Sequence, residues 1–135
     1  MIRSLDFRAI VLATLAVFGI DFFTGTMLFA IYSEPMTNPT DEQLRQAAAA
    51  LARNPGYLRS LLLLGTASTV VGGYLVARIA RSIPYFNALA YGVVAFVLSI
   101  LGTTDLPTWF RVVGIALTIP AALLGAYFVK RPLSK

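Results

Sequence analysis

The feature that most constrains this chain is a mostly apolar run at residues 10–32 with a single acid, Asp21, near its middle. A helix needs roughly 20 such residues to cross a bilayer, and this run is long enough. An ionised carboxylate at mid-depth costs at least ~2.5 kcal/mol on insertion scales, so Asp21 requires an inward-facing partner or a proton. The rest of the chain then reads as helices packed to supply that surrounding.

Composition agrees with a membrane location. Of the 135 residues, 58% are hydrophobic and only 13% charged, and the mean hydropathy is +0.77, far above a soluble domain of this size. The formal charge of +5 does not indicate nucleic acid, because the basic residues flank apolar runs rather than forming one patch. Histidine and cysteine are both absent. That excludes disulfides, thiolate nucleophiles, His-ligated zinc or haem, and imidazole acid–base chemistry. No P-loop, dinucleotide fingerprint, nucleophile–base pair or paired-acid motif is present. The expectation is a protein that is not an enzyme and carries no metal or cofactor.

The N-terminal segment imitates a secretory signal, but its apolar run is too long and is interrupted by Asp21, and bulky Phe29, Ile31 and Tyr32 crowd its end. It is read as a retained first span, about 9–32, closed by Ser33, Glu34 and Pro35. At helical spacing Thr14, Phe18, Asp21, Gly25, Leu28 and Tyr32 share a polar face, with Thr24 beside it. Residues 36–59 form the one sizeable extramembrane stretch. There Thr40 and Gln43 make a capping box, followed by a helix over about 41–53 with a weak apolar stripe at Leu44, Ala47, Ala48 and Leu51. Such a helix suits the membrane surface or the mouth of a bundle. Asn54, Pro55 and Gly56 are read as its terminator.

Three more spans follow, at about 60–80, 84–103 and 108–129. Each carries small residues at four-residue steps, the pattern that lets helix backbones approach in lipid. The packing positions are Gly65, Gly72 and Gly73 in the second span, Gly92 in the third, and Gly114, Ala122 and Gly125 in the fourth, where Pro120 should bend the helix. Residues 72–78 (Gly-Gly-Tyr-Leu-Val-Ala-Arg) and 125–131 (Gly-Ala-Tyr-Phe-Val-Lys-Arg) end the second and fourth spans alike, a hint of a two-helix repeat. The fold expected is all-α: a four-transmembrane-helix bundle with a short amphipathic helix in its first extracytoplasmic loop.

Orientation follows the basic residues. With four crossings, Arg3, Arg8, Arg78, Arg81, Lys130, Arg131 and Lys135 fall on one side, which the positive-inside rule assigns to the cytoplasm together with both termini. Tyr32, Tyr57 and Trp109 then belong to the outer interface, and Tyr85 and Tyr127 to the inner one.

Asp21 has two readings. It titrates or pairs with a cation, or it packs through hydrogen bonds to Thr66, Ser68 or Thr69 of the second span with Thr14 or Thr24 nearby. Arg111 either snorkels to the headgroups or turns inward as a counter-charge to Asp105 or to an anion. Asn87 is able to satisfy itself at the inner interface.

With Asp21, residues 72–78 and the Pro-Ala-Ala-Leu-Leu-Gly of residues 120–125, the chain resembles a set of small uncharacterised bacterial four-span inner-membrane proteins. That resemblance implies location in the cell inner membrane and no activity. Two functions are expected to compete. One is a non-enzymatic accessory subunit or self-associating bundle, whose partners are the lipid bilayer and a membrane protein or second copy. The other is a proton- or ion-coupled transporter or channel, working as a homo-oligomer with Asp21 in the pathway.

Overall fold

In the computed structural model the described residues are 5–80, 82–102 and 105–130. Arg3, Arg81, Arg131 and Lys135, used above for orientation, lie outside them, as do Thr103 at the end of the expected third span and the side chain of Lys130. Five α-helices succeed one another: α1 (Phe7–Tyr32), α2 (Asp41–Leu51), α3 (Pro55–Ile79), α4 (Pro84–Gly102) and α5 (Thr108–Lys130). Among the described residues, four of these helices, α1, α3, α4 and α5, are long and apolar enough to cross a membrane. The chain is a multi-pass, all-α membrane protein.

Local chemistry sets the helix ends. Asp6 caps α1 by accepting from the Ala9 backbone N–H. Thr40 and Gln43 form a reciprocal capping box at α2. The segment at residues 54–56 differs from its reading as a terminator. Asn54 accepts from the N–H groups of Gly56 and Tyr57 and starts α3, with Pro55 in the first turn where its missing donor costs nothing. α3 therefore begins earlier than residue 60, and α2 stops at Leu51 because the turn into this cap follows at once.

Successive crossings bring the start of α1, the α3–α4 turn and the end of α5 to one end of the bundle, here the terminal end; α2 and the α4–α5 turn mark the opposite, loop end. α3 is the hub: it packs most extensively on α5, then on α1, and crosses α4 closely. α1 meets α4 only lightly. α3 and α5 run the same way, with Leu62 beside Gly114 and Gly73 against Ala122.

The tightest packing lies in the terminal half. A methyl group on Gly73 would collide with the Ala122 carbonyl oxygen, and one on Gly125 with the Val70 carbonyl oxygen, so the backbones of α3 and α5 touch directly there. Gly72 is equally crowded by the Tyr91 hydroxyl, and a Cβ at Gly92 would lie 3.2 Å from that of Ala122. Ala9, Ile10, Ala13 and Val17 of α1 join Val76, Tyr91 and Ala122 in one buried cluster. Ala77, Ala88 and Ala126 form a second. The buried row of α1 thus runs through residues 9, 13 and 17, and Phe18, expected on the inward polar face, is 68% exposed.

One polar residue locks this end. Asn87, with no exposed surface, accepts from the Asp6 backbone N–H at 2.7 Å through its carbonyl oxygen. Its amide nitrogen donates to the carbonyls of Ser82 at 2.8 Å and Ile83 at 3.2 Å. It joins the start of α1 to the α3–α4 turn, where Ile83 holds a left-handed backbone at φ 42°, a conformation that β-branched residues resist.

Candidate functional site

Toward the loop end the same helices part. A Cβ at Gly65 or Gly25 would meet nothing within 4 Å, and one at Gly114 would reach only Leu62 Cδ1 at 3.7 Å. Gly65 and Gly114, expected as packing positions, instead line an open cavity. The spacing of small residues permits close approach, but the crossing point of α3 and α5 near Gly73 decides where it happens. The cavity measures about 510 Å³ and is lined from all four spanning helices, well within the range of ligand sites, roughly 300–1,000 Å³.

An acidic and a basic side chain face it, Asp21 from α1 and Arg111 from α5. Ser68 of α3, 3% exposed, is the hydroxyl that donates to Asp21 Oδ1. Thr66 and Thr69 line the cavity without bonding the carboxylate; Thr69 donates to the carbonyl of Gly65 at 2.9 Å. Thr24 likewise turns to its own helix, donating to the Ile20 carbonyl at 2.9 Å. Of the residues weighed as Asp21 partners, Ser68 hydrogen-bonds the carboxylate, whereas Thr14, Thr24, Thr66 and Thr69 line the same cavity without bonding it, and Thr24 reaches only the Asp21 backbone carbonyl, at 3.3 Å. Asp21 remains exposed and also borders a shallow groove with Gly25, Phe29 and Tyr57. Nearer the loop end, α1 is fastened to α3 again by the Tyr32 hydroxyl, 3.1 Å from Ser60 Oγ, and by an edge-on Tyr32–Tyr57 contact.

Arg111 turns inward. Its Nε is buried without a hydrogen-bond partner, and among the described residues no carboxylate lies within ion-pair distance of it, Asp105 and Asp21 included. A guanidinium presents five donors and no acceptor, so this one keeps unused capacity. Ser68 lies six residues beyond Leu62 along α3, and Arg111 three residues before Gly114 along α5. At 1.5 Å per residue the two polar points are about 13 Å apart along the bundle.

Most of the hydroxyls lining the cavity are committed to their own helices. Thr14, Thr69, Ser99 and Thr118 donate to the carbonyls of Ile10, Gly65, Ala95 and Gly114 in their own helices. The floor is Tyr91, 1% exposed, whose hydroxyl has no hydrogen-bond partner. Sequence reasoning overlooked Tyr91 and underrated Asn87. The signal was there: both sit four residues apart on the small-residue face of α4, where any bulky or polar side chain has to point into the bundle.

Among the described residues no group of three or more Asp or Glu side chains is placed to hold a metal ion. No protein-family model, curated protein or solved structure matches the chain.

Proposed function

We propose that this is a non-enzymatic protein of the cell inner membrane, with both termini cytoplasmic, serving as an accessory subunit or a self-associating bundle that docks through the loop half of α1. The observation that carries this reading is Asp21: a carboxyl at mid-depth of a spanning helix, still exposed, with Ser68 as its one side-chain hydrogen-bond partner among the described residues. Insertion scales put such a group at about 2.5–3.5 kcal/mol when lipid surrounds it. A second helix laid over the α1 surface removes that contact with hydrocarbon. Phe22 and Phe18, both strongly exposed beside Asp21, supply the apolar area for it.

The absence of native cysteine makes the test clean. Phe22→Cys in native membranes should form a cross-linked homodimer, or an adduct with a partner seen again after isolation in mild detergent. Leu124→Cys, on the exposed face of α5, serves as the control. Equal cross-linking at both positions, or none at Phe22→Cys, contradicts the reading.

A second reading, proton- or ion-coupled movement through a homo-oligomer, is favoured by one specific observation. Asp21, an acid at mid-depth of a spanning helix, lines the cavity that all four spanning helices share, which would put a titratable group on such a path. On this reading Asp21→Asn abolishes pH-dependent flux in proteoliposomes, and unchanged flux removes Asp21 from the path.

A further inference from the structure

The cavity between Asp21 and Arg111 has a chemistry that assembly through α1 does not use. Its walls are mainly apolar: most lining side chains are aliphatic or aromatic, and the hydroxyls of Thr14, Thr69, Ser99 and Thr118 are spent on carbonyls of their own helices. A water-filled ion path would instead present those oxygens to the lumen. Strong unspent donor capacity is concentrated at Arg111, whose buried Nε lacks a partner. At the deep end the carboxyl already holds Ser68. The cavity also reaches the surface of the bundle: α1 and α4 meet only lightly, and Asp21 and Phe18, both lining it, are exposed.

We propose that this cavity binds a single-chain anionic amphiphile from the surrounding membrane, a long-chain carboxylate, with its head group on the Arg111 guanidinium and its tail between α3, α4 and α5. Charge complementarity fixes the head: a planar guanidinium fork matches a carboxylate in bidentate fashion and is strongest where water is excluded. Size fixes the tail, because about 510 Å³ falls in the range that encloses one drug-sized molecule. The carboxyl of Asp21, roughly 13 Å deeper by helix rise, opposes the reverse orientation by like charge. The proposal goes beyond the assembly role and stands or falls separately from it.

The chain has one tryptophan, Trp109, two residues before Arg111, which gives a built-in reporter. The full-length protein in nanodiscs is titrated with brominated palmitate, its methyl ester, and a brominated lysophosphatidate, and Trp109 quenching is followed. The expected result is saturable quenching by the carboxylate, weakened at least ~10-fold by Arg111→Gln, which corresponds to about 1.4 kcal/mol, and by Gly65→Leu, which fills the space without touching the charge. The ester should be weaker than the acid by a similar factor. Arg111→Lys should recover part of the affinity, as a cation without the fork. The proposal is overturned if quenching is non-saturable, if Arg111→Gln and the ester leave it unchanged, or if only the lysophosphatidate binds. An unchanged thermal unfolding transition in the Arg111→Gln and Gly65→Leu variants would show that the bundle is folded while the site is altered.

Discussion

The terminal and loop halves of the bundle use the same small residues on the same helices, yet one is closed and the other open. In the terminal half Gly73 and Gly125 bring the backbones of α3 and α5 into contact, and Tyr91 seats itself over Gly72. In the loop half Gly65 and Gly25 face empty space, and a cavity separates the helices. The difference lies in what surrounds each glycine. At the terminal end Asn87 ties α1 to the α3–α4 turn, so every helix is anchored near the α3–α5 crossing. At the loop end α1 is held to α3 by two polar contacts, Asp21 to Ser68 and Tyr32 to Ser60, which bridge the gap without closing it. A small-residue ladder is therefore permission to pack, and anchoring decides where the permission is used.

The largest effect expected from this contrast is at the glycines. Gly73→Ala and Gly125→Ala each push a methyl into a backbone carbonyl, which overpacked sites penalise by about 1–3 kcal/mol or more. Gly65→Ala adds a methyl to open space and should be neutral or stabilising by up to about 1 kcal/mol, the helix preference for alanine over glycine. Thermal unfolding in one detergent decides it: equal losses at the three positions would erase the distinction between the halves.

Next comes the lock. Asn87→Leu keeps the volume but takes away the acceptor of the Asp6 N–H and the side-chain donor that reaches the α3–α4 turn, at about 1–3 kcal/mol for a buried unsatisfied group. Amide hydrogen exchange should then rise at the start of α1 and not near Ser68. Exchange rising first in the loop half would place the anchor elsewhere.

Tyr91→Phe probes the boundary between the halves. The hydroxyl has no partner, so its removal should leave stability unchanged or raise it by up to about 1 kcal/mol. A clear loss would mean that the hydroxyl is hydrogen-bonded in the membrane.

The smallest effect is expected at Asp21→Asn. The amide oxygen still accepts from Ser68, and interhelical hydrogen bonds of this kind average about 0.6 kcal/mol. A shift well above 1 kcal/mol in unfolding would show that charge, rather than a hydrogen bond, holds α1 to α3.

These elements were unequally legible in the sequence. Run length and hydropathy reveal the four spanning helices, because the bilayer fixes both. The Thr40–Gln43 box was legible since it is wholly local, joining residues three apart. The start of α3 was misread because Asn54–Pro55 serves equally as a stop or as a cap with proline at the first turn, and only the continuing helix distinguishes them. The role of Asn87 was hidden, since its partner Asp6 lies 81 residues away. For Arg111 the sequence left snorkelling and inward placement open. The choice depends on whether the helices diverge at that level, a property of the crossing angle and not of residue spacing.

The most direct test of a bundle closed at one end and open at the other is an oxygen-accessibility scan along α3, using single spin-labelled cysteines at Thr66, Thr69, Val76 and Ala77 in bilayers. The expected profile is high accessibility and label mobility at the first two positions, which line the cavity, falling to a sharp minimum at Val76 and Ala77, which are buried. A uniformly low profile across all four would mean that the loop half is packed as tightly as the terminal half, and the cavity, with everything built on it, would be lost.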